Sequence, residues 1–126
     1  MIVIDTSVLI DALTGLKSSG LAVRSALDEG EPILLPALVL YEWLRGPRIP
    51  EELALQESLF PSKSAVPFDE EQAKVSADLY RSVRRARTRE VDLAIAACAL
   101  AHDARFWTLN PAGFRDIPGI RLYRPG

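Results

Sequence analysis

Short apolar runs that alternate with segments of helical pattern constrain the fold of this chain most strongly. Residues 2–7 (IVIDTS) and 33–35 (ILL) predict buried strands, because each is apolar and is bounded by turn-prone residues. Helices are predicted beside them at VLIDAL, at residues 20–29 with Ser18 or Ser19 as cap, and at ALVLYEWLR. Strands alternating with helices indicate an α/β fold with a parallel sheet covered on both faces.

The second half of the chain continues this alternation. A helix is predicted near residues 51–59, and a long one from about Asp69, its cap, to Arg85. The last long helix is VDLAIAACALAHD. Further strand candidates are SAVPF at 64–68, RFWTL at 105–109 and IRLY at 120–123. The length of 126 residues predicts a single domain over residues 1–126.

Composition excludes several classes of protein. Hydrophobic residues at 48% and charged residues at 25% are typical of a folded globular chain. The only cysteine, Cys98, lies in an apolar run, which excludes an intrachain disulfide and favours a reducing cytoplasm. No signal peptide is recognisable, and no apolar stretch approaches the ~20 residues that span a bilayer, so no membrane partner is expected.

The charge distribution has one marked feature. The net charge is −2, which alone argues against a nucleic-acid partner. Yet five arginines fall within residues 81–89: Arg81, Arg84, Arg85, Arg87 and Arg89. Such a segment suits either phosphate binding or a solvated helix end, whose dipole favours cations. Both interpretations stay open.

Three acidic residues fall at or beside predicted apolar faces. Asp5 ends the first buried strand, Glu42 lies beside the apolar stripe of its helix, and Asp92 heads the apolar face of the last long helix. Each has an ordinary alternative. Asp5 could cap the next helix through the N–H of Ser7 or Val8, Glu42 could pair with Arg45, and Asp92 could simply suit the helix dipole.

Together the three acids support a more specific hypothesis. A doubly wound sheet can bring the end of its first strand close to flanking helices, and three carboxylates there would repel without a cation. Oxygen ligands suit Mg²⁺ or Mn²⁺, which can bind a phosphate and activate water. Phosphodiester chemistry follows. The single histidine, His102, is more typical of a surface residue, and no phosphate-binding glycine loop is present.

Four stretches carry a family resemblance that runs nearly end to end. They are IVIDTSVLIDAL, LPALVLYEWLRG, VDLAIAACALAHDARFWTLN and FRDIPGIRLY. With these the chain resembles PIN-domain proteins, and among them the VapC-type toxins of toxin–antitoxin pairs. The resemblance implies a three-layer α/β/α sandwich, Mg²⁺-dependent endoribonuclease activity on RNA, dimerisation, and inhibition by a small antitoxin protein.

The resemblance also implies roles for particular residues. Asp5 and Asp92 match the family's main metal-binding acids, and Glu42 matches the second acid of its cluster. Thr6 or Ser7 would support the site.

One departure from the family pattern lies near the C-terminus. The family often has an aspartate before the phenylalanine of a T-x-N-x-x-D-F pattern, whereas TLNPAGF places Gly113 there. Thr108 and Asn110 match the pattern and could hold a water at the metal or the RNA phosphate. Neutral Asn110 would bind a second metal less strongly, so one tightly held ion is expected.

We expect Arg81, Arg84, Arg85 and Arg87 to track an RNA backbone, with single-stranded loops as the target. Two other functions stay open. The missing acid at Gly113 would suit a non-catalytic PIN-like module that binds RNA or protein. An aspartyl-phosphate phosphatase would use Asp5 as nucleophile, but that class usually wants an aspartate where Ser7 stands. Tyr41, Trp43 and Leu44 give weak support for an antitoxin surface.

Overall fold

A small parallel sheet lies at the centre of the computed structural model, which describes residues 1–14 and 19–126. Its strands are β1 (Ile2–Ile4), β2 (Ile33–Leu34) and β3 (Arg105–Trp107), in the order β2-β1-β3. Ile2 pairs with Ile33 on one side and with Arg105 on the other, in parallel both times. The predicted α/β fold with a central parallel sheet is confirmed.

Within residues 1–14 and 19–126, six helices connect and cover the strands. They are α1 (Thr6–Leu13), α2 (Ser19–Asp28), α3 (Ala37–Arg45), α4 (Pro50–Leu59), α5 (Glu70–Ser82) and α6 (Glu90–Ala101). Three short 3-10 turns lie at Ser62–Ser64, Ala86–Thr88 and Pro111–Gly113. The predicted helices are therefore present, with bounds that differ by a few residues. Of the two predicted caps for α2, Ser18 lies outside the described residues and Ser19 is the helix's first residue.

The core shows why the sheet must have helices on both faces. Ile2, Val3 and Ile4 are all fully buried, although successive residues of a strand point to opposite faces. Helix α6 packs on β1 and β3, with α5 packed in turn on α6, and α1 packs against α2 and α3. This is the three-layer α/β/α sandwich that was expected, and it places the ends of β1 and β3 beside the starts of α1 and α6.

Two predicted strands are reduced to single bridges. In SAVPF, Val66 bonds to the backbone on either side of Pro36, but neither Pro36 nor Pro67 has an N–H to extend the ladder. In IRLY, Leu122 alone bridges Phe106, after a turn in which Gly119 has a φ of 80°.

The long arginine-rich helix also ends earlier than predicted. Helix α5 ends at Ser82, and Arg85 adopts a left-handed conformation with a φ of 53°. Continued helix would place Arg81, Arg84 and Arg85 on one face, where like charges destabilise the helix.

The thiol of the single cysteine and the character of the helices bear on earlier expectations. Cys98 is a free thiol inside α6, and burial raises its pKa to about 12. Within residues 1–14 and 19–126, no helix has the length and apolar character required to cross a bilayer.

Candidate active site

Asp5 sits between β1 and α1, buried to 6% exposure. One carboxylate oxygen accepts from the Thr6 N–H at 2.8 Å, which makes Asp5 the N-cap of α1. The other accepts from the hydroxyls of Ser7 at 3.1 Å and Thr108 at 2.7 Å. Burial raises the pKa of the Asp5 carboxyl, the three hydrogen bonds oppose that rise, and the negative charge of Glu42 adds to it. The capping alternative holds, but through Thr6 rather than through Ser7 or Val8.

Glu42 reaches the same place from the middle of α3. Its Oε1 accepts a 2.6 Å hydrogen bond from the hydroxyl of Thr6, the residue that follows Asp5. Its Oε2 lies 3.3 Å from an Nη of Arg45, one helical turn on, so the predicted ion pair is also present. The Glu42 side chain is only 17% exposed, which fits a group turned toward the edge of the core.

Asp92 lies in the first turn of α6. Burial raises the pKa of its carboxyl first, and the charges of Asp5 and Glu42 raise it further, against a smaller opposing effect of Arg89. Within the described residues its carboxylate has no hydrogen-bond or ion-pair partner. The helix-dipole interpretation explains its position but not its proximity to two other acids.

The charges of Asp5 and Glu42 thus act on Asp92, and the charge of Glu42 also acts on Asp5, so the three carboxylates lie in one region. Their oxygens are hard ligands, which suit Mg²⁺ better than softer metals. Within residues 1–14 and 19–126, however, no group of three or more Asp, Glu, His or Cys side chains is already arranged so that it could hold a metal ion. The donors thus fit a divalent cation in their chemistry, while Asp5 and Glu42 now bond to neighbouring hydroxyls.

A loop after β3 closes the site on the far side. The Thr108 hydroxyl donates to Asp5 and accepts from the Asn110 N–H at 3.1 Å, and the Ser7 hydroxyl accepts from the Leu109 N–H at 3.1 Å. Thr6, Ser7 and Thr108 thus all contact an acid of the group.

Asn110 behaves differently from the other supporting residues. A Cβ at Gly113 would come within 2.5 Å of the Asn110 side-chain nitrogen. The Asn110 amide therefore fills the space in which the side chain of a residue at 113 would begin.

The arginine-rich segment leads directly into α6. Arg84, Arg85 and Arg87 are exposed and form no ion pair with any described residue, whereas Arg81 pairs with Asp78 one turn away on α5. Their free guanidinium groups keep phosphate binding open as an interpretation. Arg81 lies in the last turn of α5, Arg84 and Arg85 follow the end of that helix, and Arg87 lies in the 3-10 turn Ala86–Thr88, so the helix-end interpretation also stays open.

The sequence identified Arg89 only as one of five clustered arginines, and its structural role was missed. Arg89 forms a two-pronged ion pair with Asp116, 2.8 Å at each prong, and also donates to the carbonyls of Arg84 and Gly113. It thereby ties the arginine segment and the loop after Asn110 to the start of α6. No spacing rule links positions 27 residues apart, so the sequence carried no signal for this pair.

Comparison with known proteins points to one family. The profile of the PIN domain matches residues 2–120. A curated relative, "Ribonuclease VapC19" from Mycobacterium tuberculosis, is 31% identical over 123 residues, which are 96% of this chain and 98% of that protein.

Solved structures share the fold at lower identity. "FitAcB from Neisseria gonorrhoeae" has a TM-score of 0.73 at 24% identity, covering 99% of this chain and 98% of that chain. "VapBC2 from Rickettsia felis bound to a DNA fragment from their promoter" has a TM-score of 0.74 at 18% identity, covering 98% of each. "DNA bound VapBC from Salmonella typhimurium" has a TM-score of 0.75 at 21% identity, covering 97% and 96%.

Proposed function

Because this chain belongs to the PIN-domain family, and within it to the VapC-type proteins, we propose that it is a Mg²⁺-dependent endoribonuclease. The observation that carries the proposal is that three acids from different parts of the chain meet at one place. Thr6 bonds to both the Asp5 carboxylate and the Glu42 carboxylate, and Asp92 lies close enough that, after burial, the charges of Asp5 and Glu42 raise its pKa. Carboxylates gathered in this way favour binding of a cation. The relative named a ribonuclease supports RNA as substrate.

In this proposal Asp5 and Asp92 hold the Mg²⁺, with Mn²⁺ as a possible substitute. When bound, the ion polarises the scissile phosphate and lowers the cost of the negative charge that builds up there. Glu42 accepts the proton of the attacking water as the water oxygen bonds to phosphorus. The ester P–O bond breaks with its electron pair on the leaving ribose oxygen, which takes a proton from solvent. Thr6 orients Glu42, while Ser7 and Thr108 orient Asp5. Exposed Arg84, Arg85 and Arg87 bind the RNA backbone, whereas Arg81, which pairs with Asp78, is assigned below to the contact with a second copy.

The central test compares neutral replacements of the acids. Asp5→Asn and Asp92→Asn should each keep the fold but slow cleavage of single-stranded RNA by at least ~100-fold, because each removes a charge that holds the cation. Cleavage is followed on total RNA and on a labelled oligonucleotide, with Mg²⁺ or with EDTA. Asp28→Asn, an equivalent change at the exposed end of α2, is the control and should cleave normally. Full activity of Asp5→Asn, or of the wild type in EDTA, would reject the proposal.

A non-catalytic RNA-binding module remains the second candidate. Two observations favour it: the Asn110 amide fills the place of a side chain at 113, and the described residues contain no formed metal cluster. RNA binding without cleavage in Mg²⁺ or Mn²⁺ would support this candidate. The phosphatase alternative gains no support, since the residue two positions after Asp5 is Ser7, which bonds to Asp5, and not the second aspartate typical of that class.

We further propose a small antitoxin as partner, in the reducing cytoplasm. Tyr41 and Leu44 on α3 are 56% and 50% exposed and border an open apolar depression, whereas Trp43 is buried in the core. The depression lies on the helix that carries Glu42, so an apolar segment bound there would lie close to the site. Copurification of a small protein expressed from the neighbouring gene tests this partner.

A second copy of the chain is the other proposed partner. Helices α5 and α6 present an apolar depression of about 370 Å³ that includes Phe68 and Tyr80, both 43% exposed. Arg81 and Glu90 flank it with opposite charges. A twofold axis brings the same patch of two copies together, so one Arg81 can face the other Glu90. We call this surface the α5–α6 face.

A further inference from the structure

We infer that a groove beside the candidate active site binds one nucleotide of the RNA next to the scissile bond. This inference rests on the proposed function and adds a binding position to it. The groove has a volume of about 320 Å³, at the lower end of small-ligand sites, ~300–1,000 Å³. We call it the C-terminal groove; its main lining residues are Thr108, Leu109, Pro111, Arg115, Tyr123 and Arg124.

The groove is continuous with the three acids. Thr108 lines it, and the hydroxyl of the same residue bonds to the Asp5 carboxylate at 2.7 Å. Leu109 also lines it, while its N–H bonds to Ser7. A ligand in the groove therefore touches two residues that bond directly to the site, Thr108 to Asp5 and Leu109 to Ser7. This continuity suits a nucleotide whose phosphate is held at the acids.

Charge in the groove favours an anionic ligand. Arg115 and Arg124 are both exposed, and neither forms an ion pair with another described residue. No acidic side chain lines the groove in the part of the chain that the structure describes. Guanidinium groups match the planar, two-pronged geometry of phosphate oxygens. Arg89 joins the backbone of Arg84 to Gly113 and Asp116, so the arginine segment lies beside the loop that carries Arg115.

The apolar part of the groove suits a nucleobase. Leu109 is 51% exposed although it is a large apolar residue beside a polar site. The Tyr123 ring packs on Trp107 with centroids 5.0 Å apart, and the Arg105 guanidinium lies 4.8 Å from its centroid. Tyr123 is thus held in place. Leu109 then offers an exposed aliphatic surface, beside this fixed ring, against which an unpaired base can pack.

An acidic peptide would also pair with the two arginines, but its carboxylates would be repelled by the three acids. It also has no phosphodiester bond for the site to cleave. A single-stranded RNA matches the arginines, the apolar surface and the adjoining phosphodiester chemistry together. We therefore assign the C-terminal groove to RNA.

The binding experiment uses the Asp5→Asn protein, which should retain RNA without cutting it. Fluorescence anisotropy with a labelled single-stranded RNA should show that Arg115→Ala and Arg124→Ala each weaken binding by ~3- to 10-fold. Each should also make the dependence of log affinity on log salt shallower by about 0.7, because one phosphate is no longer neutralised.

The control for binding is Arg24→Ala, which removes one equally exposed charge from α2 and should change RNA affinity by less than ~2-fold. Equal binding by all three variants would overturn the inference. So would displacement of the RNA by a polyglutamate peptide at similar concentrations.

A cleavage experiment separates this inference from the proposed function. In the otherwise wild-type protein, Leu109→Ala should change which nucleotide adjoins the cut, while the amount of Mg²⁺ needed for half-maximal rate stays the same. Sequencing of the cut ends measures this preference. If the nucleotide preference is unchanged while Asp5→Asn remains inactive, the groove does not bind this nucleotide, but the proposed nuclease function is retained. If Asp5→Asn cleaves RNA normally, the proposed nuclease function is itself rejected.

Discussion

The two oxygens of Asp5 take part in both the fold and the candidate site. One oxygen caps α1 by accepting from the Thr6 N–H, and the other accepts hydrogen bonds from the hydroxyls of Ser7 and Thr108. Because the carboxylate is buried, these donors offset part of the cost of removing its charge from water. The two interpretations open from the sequence, a helix cap and a site acid, are therefore compatible. Sequence spacing could predict the cap, but not the bond to Thr108, which lies 103 residues away.

Thr108 offers a test of that long-range bond. Thr108→Val keeps the shape of the side chain but loses the hydroxyl that donates to Asp5 and accepts from the Asn110 N–H. The free energy of unfolding should therefore fall by about 1–2 kcal/mol. Cleavage should fall ~10-fold or more, because Asp5 would lose the donor that orients it. Urea denaturation and initial rates measure the two effects. Thr108→Ser, which keeps the hydroxyl, is the control; a valine variant as stable and active as the serine one would contradict this role.

At the scale of elements, local signals predicted the helices better than the strands. Helix α3 has the predicted bounds because Pro36 and Gly46 mark both ends, and Asp69 caps α5 through the Gln72 N–H as expected. Strand length depends on which backbone groups find partners across the sheet, which no short window of sequence contains. Val66 and Leu122 accordingly form single bridges rather than strands.

The ion pair of Arg89 and Asp116 fixes how two loops meet the start of α6. The Arg89 guanidinium holds the pKa of Asp116 below its usual value of 3.8. A carboxyl whose pKa is lowered by folding stabilises the fold above its unfolded pKa, and that contribution is lost as pH falls through the lowered value. Asp116→Asn should therefore melt a few degrees lower than the wild type at pH 7.

This difference should shrink as pH falls below about 4, where the wild-type carboxyl begins to be protonated in the unfolded chain. Thermal unfolding by circular dichroism between pH 3 and 7 measures it. Asp103→Asn is a matched control, because Asp103 forms a single exposed ion pair with Arg121 and should change the melting temperature little. A difference that stays constant over this range would show that the ion pair is not its cause.

For the whole molecule, the net charge of −2 says less than where the charges lie. The arginines at positions 84, 85 and 87 lie close together in the sequence, so the sequence alone identified them as a basic segment. Arg115 and Arg124 are nine residues apart and share a groove only after folding, so no pattern predicted them. The three acids were proposed as a site from the sequence because each lay at or beside a predicted apolar face. That the chain is a single domain stays a prediction.

The α5–α6 face gives the last prediction, which concerns assembly. We expect the native mass to be twice the chain's 13.9 kDa, and Tyr80→Glu to yield a monomer, because it places a charge in the apolar centre of the interface. Sedimentation equilibrium measures the mass. Leu21→Glu, at a residue 78% exposed on α2, is the control and should remain a dimer.

A charge exchange tests the geometry of that face more strictly. Arg81→Glu alone would set like charges opposite each other at both ends of a twofold interface and should raise the dimer Kd at least ~10-fold. Adding Glu90→Arg to the same chain restores opposite charges at both ends, since each copy supplies both residues, and should restore the dimer. Arg81 already pairs with Asp78 within its own helix, so a change that acted only there would not be repaired by a substitution at position 90. The interface would have to lie elsewhere if the double variant failed to dimerise while Glu90→Arg alone left the dimer unchanged.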